Sequence, residues 1–130
     1  MKGWRPIIAH PERYRNLSDV ELVDEWRSVG ALLQVNSGSL LGKYGQTAEK
    51  LAWSLLERGW ADYLASDFHA RGSLHVAAAL ALVRTRAGDR IARLLSEENP
   101  ARLLRGEDPL EVPPVQLKRS LWRGLLGRQG

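Results

Sequence analysis

Residues 6–13 read Pro-Ile-Ile-Ala-His-Pro-Glu-Arg, an apolar run that stops at a histidine and a proline. A run of this kind predicts a short buried strand that leads into a polar loop. The same pattern recurs at residues 31–36 (Ala-Leu-Leu-Gln-Val-Asn) and at residues 61–65 (Ala-Asp-Tyr-Leu-Ala). The sequence therefore predicts three short strands, each followed by polar side chains.

Helical patterns follow each of these strands. Ser18 and Glu21 fit a capping box, and Gly30 stands where a helix commonly ends. The predicted helices cover about residues 19–29, 47–58 and 73–87, followed by short helices that begin at Asp89 and, with Asn99 as N-cap, at Pro100. Residues 37–46 contain three glycines and are predicted as a loop. Strands that alternate with helices pair in parallel through right-handed crossovers, so the predicted fold class is α/β.

Polar residues at the three strand ends form the candidate functional site. The carboxyl ends of parallel strands meet at one edge of a sheet, where functional groups of α/β folds gather. Asp67 and His69 are two residues apart, so in an extended segment they point to the same side. This carboxylate and imidazole can bind a divalent metal, and His10 can add a second imidazole. The alternative is that Asp67 caps a helix and His69 is hydrogen-bonded within a loop.

Arg13 and Arg71 also have two interpretations. A guanidinium beside a metal site suits bidentate binding of phosphate, whereas either residue can be an ordinary surface arginine. His75 lies in the first turn of a predicted helix, with no partner motif around it, and is interpreted as structural.

The chain has 130 residues, of which 44% are apolar and 26% charged, as expected for one globular domain. It contains no cysteine, which excludes disulfides, zinc sites with cysteine ligands and cysteine-nucleophile enzymes. A complete α/β barrel usually needs about 200–250 residues, more than this chain has. Pro113 and Pro114 suggest a division into a body over residues 1–112 and a linker with a basic tail over residues 113–130.

The net charge of +4 arises in residues 115–130, which hold four basic residues and no acid, whereas residues 1–114 hold 15 of each sign. A neutral body argues against nucleic-acid binding. Apolar residues near helical spacing separate the basic residues of the tail, as in helices that lie on anionic membranes. The alternative is a solvated helix or one that packs on the body. No secretory signal or membrane span is evident, so we expect a cytoplasmic protein, with membrane association through the tail as the second interpretation.

Four segments occur together in one order: I-I-A-H-P-E-R-Y at residues 7–14, Q-V-N-S-G-S-L-L-G-x-Y-G at residues 34–45, A-S-D-x-H at residues 65–69 and N-P-x-x-L-L-x-G at residues 99–106. In these segments the chain resembles the C-terminal part of a bacterial protein of the PHP (polymerase and histidinol phosphatase) superfamily. More narrowly, it is similar to the manganese-dependent protein-tyrosine phosphatases of the CpsB/CapC/YwqE type, which belong to capsule and exopolysaccharide operons.

The resemblance implies a distorted, TIM-like α/β barrel, to which this chain would contribute about three parallel strands with flanking helices. It implies a multinuclear metal site, most typically of manganese, with His10, Asp67 and His69 as ligands. Arg13 would contact the substrate phosphate, and Arg71 is the nearest candidate for the family's second phosphate-binding arginine, although it follows the D-x-H motif more closely than usual. The implied activity is hydrolysis of phosphotyrosine on a bacterial tyrosine kinase that regulates capsule or exopolysaccharide synthesis, by metal-activated hydroxide and without a cysteine intermediate.

One departure from the family is large. The family begins with an H-x-H strand and further acidic and histidine ligands, whereas this chain has three histidines and no H-x-H. We therefore expect an incomplete ligand set and little or no phosphatase activity from these 130 residues alone. The alternatives are a non-catalytic fragment that binds phosphate, a metal or a partner chain, and another phosphatase of the superfamily, such as a histidinol-phosphate phosphatase. Self-association into a homo-oligomer is left open.

Overall fold

The computed structural model describes residues 5–14, 20–66 and 72–119, without the side chains of residues 72–75. Its sheet has three parallel strands in the order β1-β2-β3, which are Ile7–Ala9, Leu32–Asn36 and Tyr63–Ala65. Ala9 pairs with Gln34, and Gln34 pairs with Tyr63, so the three carboxyl ends lie at one edge of the sheet. The predicted α/β class and the three predicted strands are confirmed.

Six α-helices connect and flank the strands in the described part of the chain. They are α1 Val20–Ser28, α2 Ser37–Leu40, α3 Gln46–Glu57, α4 Gly72–Ala87, α5 Asp89–Arg93 and α6 Asn99–Leu104. A 3-10 turn over Pro11–Arg13 follows β1, and a π-helical turn over Leu94–Glu98 joins α5 to α6. The described strands form an open sheet and not a closed barrel, so the barrel implied by the resemblance is not confirmed here.

The hydrophobic core lies against one face of the sheet. Leu33 and Val35 alternate along β2 into the core, whereas Gln34 between them is only partly buried. Helix α3 contributes an apolar stripe at helical spacing, and the π-helical turn contributes two fully buried leucines. The stripe consists of Leu51, Ala52, Leu55 and Leu56. This packing holds the central strand, and with it the edge where the polar residues collect.

The loop prediction for residues 37–46 is wrong in its first part. Residues 37–40 form the short helix α2, because the Asn36 side chain accepts a hydrogen bond of 2.8 Å from the Gly38 N–H and so caps a helical turn. Glycines at positions 42 and 45, with φ of 77° and 96°, then reverse the chain before α3 begins. The next helix begins at Gln46 with Gly45 as its N-cap, and not after Thr47.

The prediction that Asn99 caps a helix is also wrong. The π-helical turn keeps the chain helical up to residue 99, so Asn99 itself has helical dihedral angles and Glu98 takes the N-cap position. The side chain of Asn99 is instead fully buried. Its Nδ2 donates to the carbonyls of Asp62 (3.0 Å) and Leu110 (3.2 Å), and its Oδ1 accepts from the Leu110 N–H. The Asn99 side chain thus connects Asp62, which precedes β3, to the segment after α6.

The segment over residues 107–119 has no regular secondary structure and lies on the body. Val112 is buried in the core, the Val115 N–H donates to the carbonyl of Glu57, and the Lys118 N–H donates to the carbonyl of Arg86. The division after residue 112 and the membrane contact of residues 115–130 stay predictions, since residues 120–130 lie outside the described part of the chain. No helix within the described ranges is long and apolar enough to cross a membrane.

Candidate active site

His10 directly follows β1 and lies at the carboxyl edge of the sheet. Its backbone is left-handed, with φ 36° and ψ 59°, which is uncommon for a residue with a side chain and often marks a functional site. Its N–H donates to the carbonyl of Gln34 over 2.6 Å, which ties the turn to β2. The Nδ1 atom is buried and has no hydrogen-bond partner among the described residues. This imidazole nitrogen is therefore placed to serve a ligand.

Glu12 is a buried carboxylate in the same turn, with 3% of its surface exposed. Its Oε2 accepts a hydrogen bond of 2.9 Å from the N–H of Asn36, the last residue of β2. Burial raises the pKa of Glu12 above its usual value, while the Asn36 N–H, the nearby Ser39 hydroxyl and the charge of His10 all act to lower it. The carboxylate thus fastens the turn after β1 to the end of β2.

Replacement of Glu12 tests this anchor. Glu12→Ala leaves the buried Asn36 N–H without an acceptor and is expected to lower the free energy of unfolding by about 1–3 kcal/mol. Glu12→Gln keeps an acceptor oxygen at the same place, so its loss should be smaller. Urea denaturation followed by tryptophan fluorescence measures both. The exposed Glu107 provides a control, since Glu107→Ala should change little, and equal stability of Glu12→Ala and the unaltered chain would contradict the anchor.

Two serines of α2 carry buried hydroxyl groups. Ser37 and Ser39 are fully buried, and neither Oγ has a hydrogen-bond partner within the described residues. Oε1 of Glu12 also has no hydrogen-bond partner among the described residues, although the Ser39 hydroxyl lies near the carboxylate. Buried polar atoms are normally satisfied, so buried atoms without a partner among the described residues point to water or a ligand that they bind.

Arg13 ends the 3-10 turn and is exposed. Its guanidinium carbon lies 3.8 Å from the ring centre of Tyr44, which is a close cation–π arrangement. On the other side of the turn, His10 and Tyr14 meet edge to face with ring centres 6.2 Å apart. The structure therefore places His10 and Arg13 in the same turn after β1, at the carboxyl edge of the sheet.

The remaining predicted site residues, Asp67, His69 and Arg71, lie outside the described residues, as does the side chain of His75. Their roles stay predictions. Ala65 ends β3 at the same edge of the sheet, and Ser66 directly follows it. Within the described residues no three acidic or histidine side chains group together in a way that could hold a metal ion. The unpartnered His10 Nδ1 beside the Glu12 carboxylate nevertheless has the nitrogen and oxygen chemistry that suits a divalent transition metal.

Glu12 and Tyr44 are not among the site residues that the sequence predicts. The sequence Asn36-Ser37-Gly38 is a local signal for the cap that begins α2. No local signal marks the bond between Glu12 and β2, or the stacking of Arg13 on Tyr44, because both join segments that are more than 20 residues apart.

Comparison with known proteins shows the family of this chain. The family model described as "Capsular polysaccharide synthesis, CpsB/CapC" matches residues 1–105. Tyrosine-protein phosphatase YwqE of Bacillus subtilis (strain 168) is 33% identical over 122 residues, which cover 92% of this chain and 48% of YwqE. The putative tyrosine-protein phosphatase CapC of Staphylococcus aureus is 30% identical over 132 residues, which cover 95% of this chain and 50% of CapC. The chain thus spans about half the length of these relatives.

A solved structure shows the same fold. It comes from a study of YwqE from Bacillus subtilis and CpsB from Streptococcus pneumoniae, described there as unique metal-dependent tyrosine phosphatases. The two structures align with a TM-score of 0.77 and 32% identity, over 91% of this chain and 49% of the other. The family model covers well over half of the 130 residues. The chain therefore belongs to the CpsB/CapC family of capsular polysaccharide synthesis proteins.

Proposed function

We propose that this chain is the C-terminal part of a metal-dependent protein-tyrosine phosphatase. The observation that supports this most is that His10, whose buried Nδ1 has no partner among the described residues, and the exposed Arg13 lie in one turn at the carboxyl edge of a parallel sheet. The chain shares this sheet with a structure described as a metal-dependent tyrosine phosphatase. An imidazole can bind a metal ion, and a neighbouring arginine can bind an anionic phosphate. Metal-dependent phosphoester hydrolysis needs both groups in one site.

Each residue has a proposed part in the reaction. Arg13 binds the phosphate through its planar set of N–H donors, and Arg71 is the proposed second phosphate-binding arginine. His10, Asp67 and His69 would hold the metal, for which manganese is the proposed identity. A bound metal supplies positive charge for the phosphate and a nucleophile near neutral pH. Glu12 holds His10 and Arg13 in one turn against β2.

The proposed substrate is phosphotyrosine on a bacterial tyrosine kinase that regulates capsule or exopolysaccharide synthesis. The family description names capsular polysaccharide synthesis, and the two curated relatives are named as tyrosine-protein phosphatases. A kinase that is phosphorylated on tyrosine would meet the enzyme in the cytoplasm, which is the proposed location. Because the chain spans about half of its relatives, we further propose that a complete site needs the other half.

A chimera tests this function. Residues 4–106 replace the matching half of YwqE, and hydrolysis of a phosphotyrosine peptide is measured with manganese for the chimera and for the 130-residue chain. We expect turnover by the chimera and little or none by the chain alone. Arg13→Ala should lower kcat/KM of the chimera by about 100-fold or more, as the loss of a charge-stabilising group does. Arg58→Ala removes an arginine that stacks on Trp60, outside the proposed site, and should retain activity.

Three outcomes would decide against parts of the proposal. A chimera that is folded by circular dichroism but inactive, with no binding of O-phosphotyrosine by the chain, contradicts the phosphatase. Binding of O-phosphotyrosine without turnover by the chimera favours the non-catalytic alternative. Efficient manganese-dependent turnover by the chain alone, lost in His69→Ala, contradicts the proposal that the site is incomplete.

A further inference from the structure

Tyr44 is the aromatic partner of Arg13 at the carboxyl edge of the sheet. The guanidinium carbon of Arg13 lies 3.8 Å from the centre of the Tyr44 ring, closer than the 5.2 Å between Arg58 and Trp60. The Tyr44 residue is 39% exposed, so the pair lies at the surface and a ligand can reach it. A guanidinium that stacks on a ring uses its face, while its N–H donors lie in its plane and point sideways.

The ring of Tyr44 is held by the turn that follows α2. It packs directly on Gly38, where a Cβ atom would come within 2.8 Å of Tyr44 Cε2. The turn itself is closed by hydrogen bonds from the N–H groups of Leu41 and Lys43 to the carbonyl of Gly38. A Cβ atom at position 38 would collide with the ring where it now lies. The absence of a side chain at Gly38 therefore allows the ring to take this position.

Hydrogen bonds within the 3-10 turn fix the backbone of Arg13. The Arg13 N–H donates to the carbonyl of His10 over 3.0 Å, and the Tyr14 N–H donates to the carbonyl of Pro11 over 3.1 Å. Glu12 fastens this turn to Asn36, whose side chain caps the helix that leads to Tyr44. Arg13 and Tyr44 are thus both connected to the end of β2. Their cation–π contact joins the turn after β1 to the turn after α2, and Asn36 is hydrogen-bonded both to the first of these turns and to α2.

We propose that Tyr44 is a positioning residue for Arg13 and sets the affinity of this edge for phosphate monoesters. A long arginine side chain at an exposed position samples many rotamers, and binding a ligand requires that this freedom be lost. Stacking on Tyr44 restricts the guanidinium before the ligand arrives, which lowers that cost. The inference rests on the proposed function, since it assigns Arg13 to the phosphate.

Two measurements on the full chain test this role. In NMR spectra, the Arg13 Nε–H proton should be shifted upfield by the Tyr44 ring, and this shift should persist in Tyr44→Phe and vanish in Tyr44→Leu. Titration with O-phosphotyrosine should show binding about two- to fivefold weaker in Tyr44→Leu, with the affinity retained in Tyr44→Phe. Gly38→Ala displaces the ring without removing it, so it should weaken binding in the same way.

Trp60→Leu is the matched control, because it removes the ring beneath Arg58 and should leave O-phosphotyrosine binding unchanged. Circular dichroism shows whether each variant is folded, and Gly38→Ala tests the inference if Tyr44→Leu is not. Unchanged affinity in folded Tyr44→Leu, or an Arg13 Nε–H shift that does not depend on the ring, would overturn the inference while the proposed function stands. If the unaltered chain binds no O-phosphotyrosine, this inference fails, whereas the proposed function is decided by the activity of the chimera.

Discussion

Asp62→Ala is expected to lower the free energy of unfolding by about 3 kcal/mol. Asp62 lies just before β3 and its side chain is 5% exposed. Its Oδ2 accepts hydrogen bonds from Arg27 Nη1 at 2.8 Å and from the Leu33 N–H at 2.9 Å. The substitution leaves a buried backbone donor unpaired and a largely buried guanidinium without its counter-charge. Both costs fall on the folded state, because water solvates these groups in the unfolded chain.

Urea denaturation of the folded chain measures this loss. Asp62→Asn keeps an acceptor for the Leu33 N–H but loses the charge, so its stability should lie between those of the unaltered chain and Asp62→Ala. Asp89 supplies the control, since it pairs with Arg84 and Arg93 while its side chain is 65% exposed. Asp89→Ala should cost at most about 1 kcal/mol, as exposed ion pairs usually do. An equal loss from Asp62→Ala and Asp89→Ala would contradict the importance of the buried pair.

Gly59→Ala is expected to be the second strongly destabilising change, at about 2–5 kcal/mol. Gly59 has φ of +73°, which a residue with a Cβ adopts only at a cost. The added Cβ would also lie 2.5 Å from the carbonyl oxygen of Val112 and 2.8 Å from the nitrogen of Pro114. These are backbone atoms that cannot rotate away, so the segment over residues 112–114 must move off the core.

Gly106 is a closely matched control for this substitution. It also follows a helix, has φ of +72°, and no described heavy atom lies within 4 Å of its would-be Cβ. Gly106→Ala should therefore show the conformational cost alone, about 1–2 kcal/mol. The difference between the two variants, measured by urea denaturation, reports the collision with the backbone of residues 112–114. Cleavage by a protease after Glu111 should also become faster in Gly59→Ala. Equal losses of unfolding free energy in both variants would show that the backbone of residues 112–114 does not collide with a Cβ at position 59.

Asp62 and Gly59 lie near the amino end of β3, at the opposite edge of the sheet from His10 and Arg13. The amino ends of strands in α/β folds commonly serve stability, and the carboxyl ends serve function. We therefore expect Asp62→Ala and Gly59→Ala to change stability without changing O-phosphotyrosine affinity under conditions in which the chain is folded.

The order of strands and helices could be predicted from the sequence because it depends on local patterns. Short apolar runs ending at polar residues placed the three strands correctly, and the alternation of strands with helices predicted their parallel pairing. That placement also brought His10 and Arg13 to one edge. The errors at α2 and Asn99 have local causes that the patterns did not capture: an Asn36 side chain that caps a turn, and a π-helical turn that continues a helix.

The sequence by itself thus determined the α/β order, the edge at which polar residues meet and the family to which the chain belongs, because periodicity and motif spacing are properties of short segments. Only the tertiary structure decided that Glu12 fastens the site to β2, that Tyr44 lies beneath Arg13 and that Asp62 is paired with Arg27. Each of these contacts joins residues more than 20 positions apart, and their energies depend on burial and distance. The burial of these residues and the distances between them are set only when the strands pair and exclude water.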